Sequence, residues 1–250
     1  MMLEGIHAVI TGGGTGIGAA IARALASDGA KLTLIGRREA VLRDAAAALS
    51  GTHLEVADVT DAAAVAAAFE GARRVHGPIG ILINNAGAVA TAPFGRTTAE
   101  MWRAALAVNL DGAFHCMQAA LPDLKAAAAG RIVTIASTAG LKGYAYTSAY
   151  VAAKHGVIGL TRALASELAA TSVTVNAVCP GFTDTAIVDE AIERIEQATG
   201  QDGRAALTRF NPQGRLIEPA EVAAAVRWLC LPENRSVTGQ AIVVAGGEVM

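Results

Sequence analysis

Residues 6–18 read IHAVITGGGTGIG, an apolar run rich in β-branched residues that leads into a glycine-rich turn. The run Ile6–Thr11 has the residue types of a buried strand. Five of the next seven residues are glycines, which allow the backbone to turn tightly before a helix. The stretch therefore predicts a strand, a turn and a helix, the first unit of an alternating α/β fold.

The same alternation continues along the chain. Short apolar runs predict seven strands, at Ile6–Thr11, Leu32–Ile35, His53–Val56, Ile79–Ile83, Arg131–Ala136, Val173–Val178 and Ala241–Val244. Alanine-rich amphipathic segments predict helices at Gly16–Ser27, Glu39–Leu49, Ala62–Val75, Ala99–Leu124, Ser148–Ala169 and Pro219–Leu231, with Asp61, Thr98 and Glu218 near their N-terminal ends. Most strands are apolar on both faces, which is typical of a parallel sheet covered by helices on each side. We expect a Rossmann-like, doubly wound, seven-stranded α/β fold forming a single domain over 1–250.

Composition narrows the classes of function. Of the 250 residues, 53% are hydrophobic and the formal net charge is −2, so we expect neither disorder nor a broad surface for nucleic acid or membranes. Charged residues interrupt every apolar stretch, which predicts no membrane span. The first residues carry no basic leader, which predicts a cytoplasmic protein. The widely spaced Cys116, Cys179 and Cys230 predict buried thiols, with no disulfide framework and no metal site.

One segment departs from the regular alternation. Residues Thr185–Pro212 are polar and helical, and they lie between the sixth and seventh predicted strands. Ligands of open α/β sheets bind beyond the carboxyl ends of the strands, where this segment begins. We interpret 185–212 as an inserted helical hairpin that acts as a substrate lid. The alternative is a surface excursion with no role in the site.

The glycine-rich turn has the position of a dinucleotide site. Its glycines allow a pyrophosphate to approach the N-terminus of the following helix. Similar turns also occur as purely structural features, and the usual glycine spacing fits only as Gly14, Gly16 and Ala19. The place of the turn in the first βα unit favours the cofactor interpretation. The predicted cofactor contacts here are Gly12, Gly14, Thr15, Gly16, Ile17 and Gly18.

The end of the second predicted strand bears on the choice of cofactor. It reads Gly36-Arg37-Arg38, where an NAD-specific site would hold an acidic residue for the ribose hydroxyls. A guanidinium instead forms bidentate charged contacts with a 2′-phosphate. Arg37, supported by Arg38, therefore predicts NADP(H), with NAD(H) as the alternative. The competing interpretation is a solvated helix start in which Glu39 partly neutralises both arginines.

A second group of residues carries reactive chemistry. Tyr150 and Lys154 are four apart on a predicted helix and therefore share one face, and Ser137 follows the fifth predicted strand. Alone, such a Tyr-Lys pair is as easily a surface tyrosine packed on a lysine stem. Combined in order with the glycine-rich turn, Asn84-Asn85-Ala86-Gly87, Asn109 and Pro180-Gly181, it makes the chain resemble the short-chain dehydrogenase/reductase superfamily over essentially its whole length.

This resemblance implies a catalytic tetrad. Tyr150 would be the general acid/base, and Ser137 would hydrogen-bond the substrate oxygen. Lys154 would bind the nicotinamide ribose and keep Tyr150 acidic, while Asn109 would hold a water in a proton relay. Further cofactor contacts implied by the resemblance are Asp58 at the adenine, Val59, Asn85, Ala86 and Gly87 along the cofactor, and Pro180, Gly181 and Thr183 near the carboxamide.

The residue types agree with these roles. A tyrosine has a pKa near ~10, and a neighbouring cation favours its phenolate. Bringing that pKa to about 7 takes roughly 4 kcal/mol, which Lys154 and an oxidised nicotinamide can supply together in a partly desolvated cleft. The nicotinamide carries the hydride, so the protein has to orient the carbonyl and manage its charge.

The predicted reaction interconverts a secondary alcohol and a ketone on a small-molecule substrate. The resemblance is close to 3-oxoacyl-thioester reductases and ketoreductases, and apolar pocket residues favour a hydroxyacyl or 3-oxoacyl thioester or another apolar carbonyl compound. Predicted substrate contacts are Ser137, Tyr144, Tyr150, Phe182 and Ile187. The alternatives are an NAD-dependent alicyclic or aryl alcohol dehydrogenase and a non-catalytic nucleotide-sensing protein. By analogy, a homotetramer or homodimer is expected through the helices that contain Asn109 and Tyr150.

Overall fold

The computed structural model describes residues 1–250. Its strands are β1 (His7–Thr11), β2 (Lys31–Gly36), β3 (His53–Val56), β4 (Ile79–Asn84), β5 (Arg131–Ile135), β6 (Thr174–Pro180) and β7 (Ala241–Val244). They form one sheet in the order β3-β2-β1-β4-β5-β6-β7, and every neighbouring pair is parallel. The predicted seven-stranded, doubly wound sheet is confirmed, and its strand order switches direction between β1 and β4.

Helices connect these strands on both faces. They are α1 (Gly16–Ser27), α2 (Glu39–Ala46), α3 (Ala62–His76), α4 (Ala99–Leu106), α5 (Gly112–Ala126), α6 (Ser148–Glu167), α7 (Ala186–Thr199), α8 (Gly203–Thr208) and α9 (Pro219–Cys230). None of these helices combines the length and the apolar character that a membrane span requires.

Two apolar layers cover the sheet because alternate side chains of a strand point to opposite faces. Ala8 and Ile10 of β1 pack in one layer, which also contains Ile21 of α1 and Val226 of α9. Val9, between them in sequence, packs in the other layer with residues of α3 and α5. Both faces of β1 are therefore buried, which explains its continuous apolar run.

The prediction of one helix over Ala99–Leu124 is wrong in one respect. The chain forms α4, a π-helical turn over Ala107–Asp111, and then α5. Within that turn, Asn109 Nδ2 donates to the carbonyl oxygen of Ala105 at 3.0 Å. Apolar periodicity does not report a widened turn of this kind, which is frequent at functional sites.

The predicted N-terminal ends of three helices are confirmed by their capping contacts. Asp61 accepts hydrogen bonds from two backbone N–H groups in the first turn of α3. Thr98 accepts one in the first turn of α4, and the Glu221 carboxylate of α9 accepts from the N–H of Glu218 at 2.8 Å. These contacts satisfy donors that a helix leaves without intrahelical partners.

The segment between β6 and β7 contains the two helices expected of a hairpin, α7 and α8. Val188 of α7, Leu207 of α8 and Leu216 are buried against one another. The hairpin thus has a small apolar core of its own beside the carboxyl edge of the sheet. Val188 packs inside that core.

Candidate active site

The glycine-rich turn between β1 and α1 depends on the absence of side chains. Gly12 and Gly16 have positive φ angles of 62° and 49°, and a Cβ on Gly18 would collide with the carbonyl oxygen of Gly12. Thr15 precedes α1 without making a side-chain cap, and the first turn of α1 holds no acidic residue. The first-turn N–H groups, which have no intrahelical partners, are therefore suited to an anion such as a pyrophosphate.

Asn85 supports this turn from the neighbouring strand. Its Nδ2 donates to the carbonyl oxygens of Thr11 and Gly12, both at 3.0 Å. The Thr11 hydroxyl in turn accepts from the N–H groups of Asn85 and Ala86 at 3.0 and 3.1 Å. The carboxyl ends of β1 and β4 are thus joined directly, and the Asn85 amide N–H group is used in holding the glycine-rich turn.

Arg37 lies at the carboxyl end of β2, where the sequence placed it. Its Nη1 is 3.8 Å from a carboxylate oxygen of Asp58, and 75% of its side chain is exposed. Hydrogen bonds from Thr60 and the charge of Arg37 hold the pKa of Asp58 below its ordinary value. Glu39, which partly neutralises the arginines in the competing interpretation, instead pairs with Arg43 one turn along α2. Arg37 therefore remains available to a ligand.

Ser137, Tyr150 and Lys154 converge beyond β5. Ser137 follows the strand, and its hydroxyl accepts from the N–H of Ala139 at 3.1 Å. Tyr150 lies in the first turn of α6, and Lys154 Nζ is 5.6 Å from the centroid of its ring. The ammonium also donates to the carbonyl oxygen of Ile135 at 2.8 Å. This contact fixes α6 against the end of β5, and with it the tyrosine.

Burial dominates the titration of both α6 residues. It raises the pKa of Tyr150 to about 12, although the Ser137 hydroxyl acts in the opposite direction. It also lowers the pKa of Lys154 to about 8. The acidic tyrosine that the resemblance implies is therefore not a property of the free protein, because the loss of solvation outweighs the hydrogen bond with Ser137. A further positive charge in the cleft is needed to favour the phenolate.

Asn109 joins the π-helical turn to the segment after β4. Its Nδ2 donates to Ala88 O at 2.9 Å, and its Oδ1 accepts from Ala88 N–H at 3.3 Å. A Cβ on Gly87 would lie 2.8 Å from Asn109 Oδ1 and 3.7 Å from Lys154 Nζ. Gly87, Asn109 and Lys154 are therefore close neighbours. The side-chain amide of Asn109 is used within the protein, and the water that the resemblance assigns to Asn109 stays a prediction.

The turn after β6 approaches the same edge. Thr183 is buried, and its hydroxyl donates to the carbonyl oxygen of Gly181 at 3.0 Å. Two residues later, the Thr185 methyl group lies 2.9 Å from where a Cβ on Gly16 would stand. The start of α7 is thus in contact with the glycine-rich turn, and the hairpin adjoins the candidate cofactor site.

Aromatic rings form a wall next to Tyr150. Tyr144 and Phe182, both predicted from the sequence, meet edge to face at 6.0 Å between ring centroids. Phe210 packs on both, at 5.8 and 5.4 Å. Ile187 is half exposed in the first turn of α7. Phe210 is not predicted from the sequence, because it is distant along the chain from Tyr144 and lies after α8 in the polar segment 185–212 without a local signal.

Comparison with known proteins agrees with this geometry. The family model described as short chain dehydrogenase matches residues 6–196. A D-beta-hydroxybutyrate dehydrogenase from Cupriavidus necator is 38% identical, over 99% of both chains. The 3-oxoacyl-[acyl-carrier-protein] reductase MabA from Mycobacterium bovis is 37% identical, over 96% of this chain and 91% of that protein.

A solved structure shows the same likeness in three dimensions. The crystal structure of a variant actinorhodin polyketide ketoreductase with NADPH has a TM-score of 0.93 and 34% identity, and the match covers 97% of each chain. The resemblance seen in the sequence is therefore confirmed, and the non-catalytic alternative is not favoured. The chain belongs to the short chain dehydrogenase family and is an NAD(P)-dependent oxidoreductase that interconverts alcohols and ketones.

Proposed function

We propose that the protein is an NADP(H)-preferring enzyme that acts on a 3-oxoacyl or 3-hydroxyacyl thioester, or on a related apolar carbonyl compound. The observation that carries this proposal is the convergence of Ser137, Tyr150 and Lys154 at the end of β5. The segment 85–87 connects these groups to the glycine-rich turn, because Asn85 contacts Gly12 and Gly87 neighbours Lys154. A proton donor and a dinucleotide site thus share one edge of the sheet.

In the proposed reduction, the Ser137 hydroxyl donates a hydrogen bond to the substrate carbonyl oxygen. Tyr150 transfers its phenolic proton to that oxygen as negative charge develops there. The Lys154 ammonium stabilises the phenolate that remains. A bound nicotinamide supplies the hydride. In the reverse reaction Tyr150 accepts the hydroxyl proton of the alcohol. We assign Asn109 a positioning role, because its amide holds the segment after β4 against the π-helical turn.

The proposed cofactor site follows the carboxyl edge of the sheet. The glycine-rich turn would hold the pyrophosphate, as the free first-turn N–H groups of α1 allow. We assign Asp58 and Val59, which lie after β3, to the adenine, and Lys154 to the nicotinamide ribose. Residues assigned along the rest of the site are Asn85, Ala86, Gly87, Pro180, Gly181 and Thr183.

Arg37 supports the proposed preference for NADP(H). Its exposed guanidinium, free of Glu39, suits a 2′-phosphate better than two ribose hydroxyls. Arg37→Glu should raise the dissociation constant for NADPH by about twentyfold or more and that for NADH by less than about threefold. Fluorescence titration with each cofactor measures both values. Arg43→Glu makes the same charge change in α2 and should alter neither dissociation constant. If Arg37→Glu weakened NADPH and NADH equally, Arg37 would have a structural role and would not select the cofactor.

The aromatic wall and the hairpin support the proposed substrate class. Tyr144, Phe182 and Phe210 offer apolar surface beside Tyr150, which suits an acyl chain or a ring better than a sugar. The relative from Mycobacterium bovis is named for the reduction of 3-oxoacyl groups. We assign 185–212 as a lid over this wall, since α7 starts against the glycine-rich turn.

Initial rates test the proposed substrate class. They should be measured with NADPH and NADH on a short 3-oxoacyl thioester and on a cyclic or aryl ketone, with Tyr150→Phe as the blank. Turnover of the thioester with preference for NADPH is expected. Preference for the simple ketone together with NADH would move the enzyme to the alicyclic or aryl alcohol dehydrogenases.

We also propose that the protein is a cytoplasmic homotetramer or homodimer. Trp102 of α4 and Phe114 of α5 are 39% and 42% exposed, on the helices that flank Asn109. Large aromatic side chains exposed on neighbouring helices favour a contact between copies of the chain.

A further inference from the structure

The last residues of the chain bring a carboxylate to the aromatic wall. Glu248 follows the turn Gly246-Gly247, and only 1% of its side chain is exposed. The segment is held in place because Gly181 N–H donates to the carbonyl oxygen of Val244 at 3.0 Å. Glu248 is therefore a built part of the site's periphery, although it lies far along the chain from Ser137 and Tyr150.

Two residues of the loop between Ser137 and Tyr150 bind this carboxylate. Lys142 Nζ is 3.1 Å from Glu248 Oε1, and the Tyr144 hydroxyl donates to the same oxygen. The ammonium also lies 5.0 Å from the centroid of the Tyr144 ring and 5.9 Å from that of Phe210. Two cations therefore flank the wall. The Arg209 guanidinium lies over Phe210 alone, 5.6 Å from its ring centroid, whereas Lys142 lies over both Tyr144 and Phe210 and is neutralised by Glu248.

This ion pair is close to the reacting groups. Burial and the hydrogen bond to Glu248 raise the pKa of Tyr144, and Tyr150 acts in the same direction when it is ionised. The Tyr144 hydroxyl also lies 2.6 Å from that of Thr138, the residue after Ser137. A charge at Lys142 or Glu248 is therefore felt by a substrate bound against Tyr144.

We propose that Glu248 is a specificity-determining residue that makes the enzyme select uncharged 3-oxo esters and thioesters over free 3-oxo acids. This inference rests on the proposed function. The cation beside Tyr144 is the Lys142 ammonium, and because Glu248 already pairs with it, it does not serve the carboxylate of a free acid bound there. The second carboxylate oxygen of Glu248 is buried without a hydrogen-bond partner, so its charge also repels a second carboxylate. The wall accepts an ester because an ester carries no charge.

The test compares 3-oxobutanoate with its ethyl ester. Wild type should turn over the ester with the higher kcat/KM. Glu248→Gln keeps the size and an acceptor oxygen but leaves Lys142 unpaired. It should raise kcat/KM for the acid by about tenfold or more and change that for the ester by less than about threefold. The gain should shrink with added salt, because salt screens the attraction between partly exposed charges.

Two further variants test whether the rise in kcat/KM for the acid comes from the Lys142 charge. The double variant Glu248→Gln/Lys142→Met should lose it, and Lys142→Met alone should disfavour the acid more than wild type does. Glu193→Gln, an exposed charge removal on α7, serves as the matched control. An unchanged ratio of ester to acid in Glu248→Gln, or a gain that survives in the double variant, overturns the proposal.

A binding measurement separates this inference from the proposed function. Absence of turnover of the ester by wild type would count against the proposed substrate class. Calorimetric titration of the protein with butanoate does not depend on turnover. Glu248→Gln should bind butanoate about tenfold more tightly than wild type, and equal affinity would refute the role of Glu248 whichever substrate the enzyme uses.

Discussion

Tyr150 is a residue whose chemistry is set by its surroundings. Burial keeps its pKa at about 12 in the free protein, so the phenol is protonated at neutral pH and ready to donate. Carbonyl reduction should therefore show kcat/KM that is flat through neutral pH. Alcohol oxidation needs the phenolate, so its kcat/KM should rise with pH by up to about tenfold per pH unit.

Initial rates in both directions across the neutral and alkaline range measure this difference. The rise should level off below pH 12, because an oxidised nicotinamide adds a positive charge that lowers the pKa of Tyr150. Tyr150→Phe should abolish turnover in both directions and leave NADPH binding largely intact. Residual activity of more than a few per cent, or a flat oxidation profile, would contradict the assigned role.

At the scale of elements, the β1-α1 unit depends on close approach of its own backbone. A Cβ on Gly18 would collide with the carbonyl oxygen of Gly12 and with the Asn85 amide. Gly18→Ala should therefore distort the turn, destabilise the fold by about 2 kcal/mol and weaken both NADPH and NADH at least tenfold. Denaturant unfolding and cofactor titration measure the two effects. Gly95→Ala, at a site with no neighbour within 4 Å, should be silent in both.

The amino-terminal edge of the sheet carries a pH-sensitive contact. His7 Nδ1 donates to the carbonyl oxygen of Gly77 at 2.8 Å, and its Nε2 accepts from the Thr33 hydroxyl at 2.9 Å. This neutral ring is buried, and burial lowers its pKa from 6.5 to about 4. Between these values the unfolded chain binds the proton more readily, so stability falls as the pH falls.

The expected loss between about pH 7 and pH 5 is roughly 2 kcal/mol from His7 alone. Urea unfolding at the two pH values measures it. His7→Gln should be less stable than wild type at pH 7, but its free energy of unfolding should fall by less than that of wild type between pH 7 and pH 5. His155→Gln removes an exposed histidine of α6 and should leave the pH dependence unchanged. A wild-type stability that is equal at both pH values would refute this assignment.

For the molecule as a whole, the exposed aromatic residues on α4 and α5 allow a test of the proposed association. Phe114→Glu should dissociate the proposed oligomer, because it places a charge in an apolar contact. Sedimentation velocity at micromolar concentration measures the assembly. Val75→Glu, on the exposed face of α3, is the control and should leave the assembly intact. A wild-type protein that sediments as a monomer would refute the proposed contact.

The class of the fold follows from the sequence alone, and so do the residues that make up most of the candidate site. Strand number, the alternation of strands with helices and the caps at Asp61 and Thr98 were predictable, because periodicity and capping are local properties. Ser137, Tyr150 and Lys154 are recognisable as candidate site residues from their spacing and from the order of the motifs along the chain. The resemblance then assigned their roles.

How these groups are held is seen in the folded chain and not in the sequence. The π-helical turn at Asn109, the contact of Arg37 with Asp58 and the pairing of Glu248 with Lys142 all join residues that no local pattern relates. The raised pKa of Tyr150 was also not predictable, since it depends on how much water the folded chain removes from the phenol. Burial and long-range contact are properties of the packed molecule, and sequence spacing does not report them.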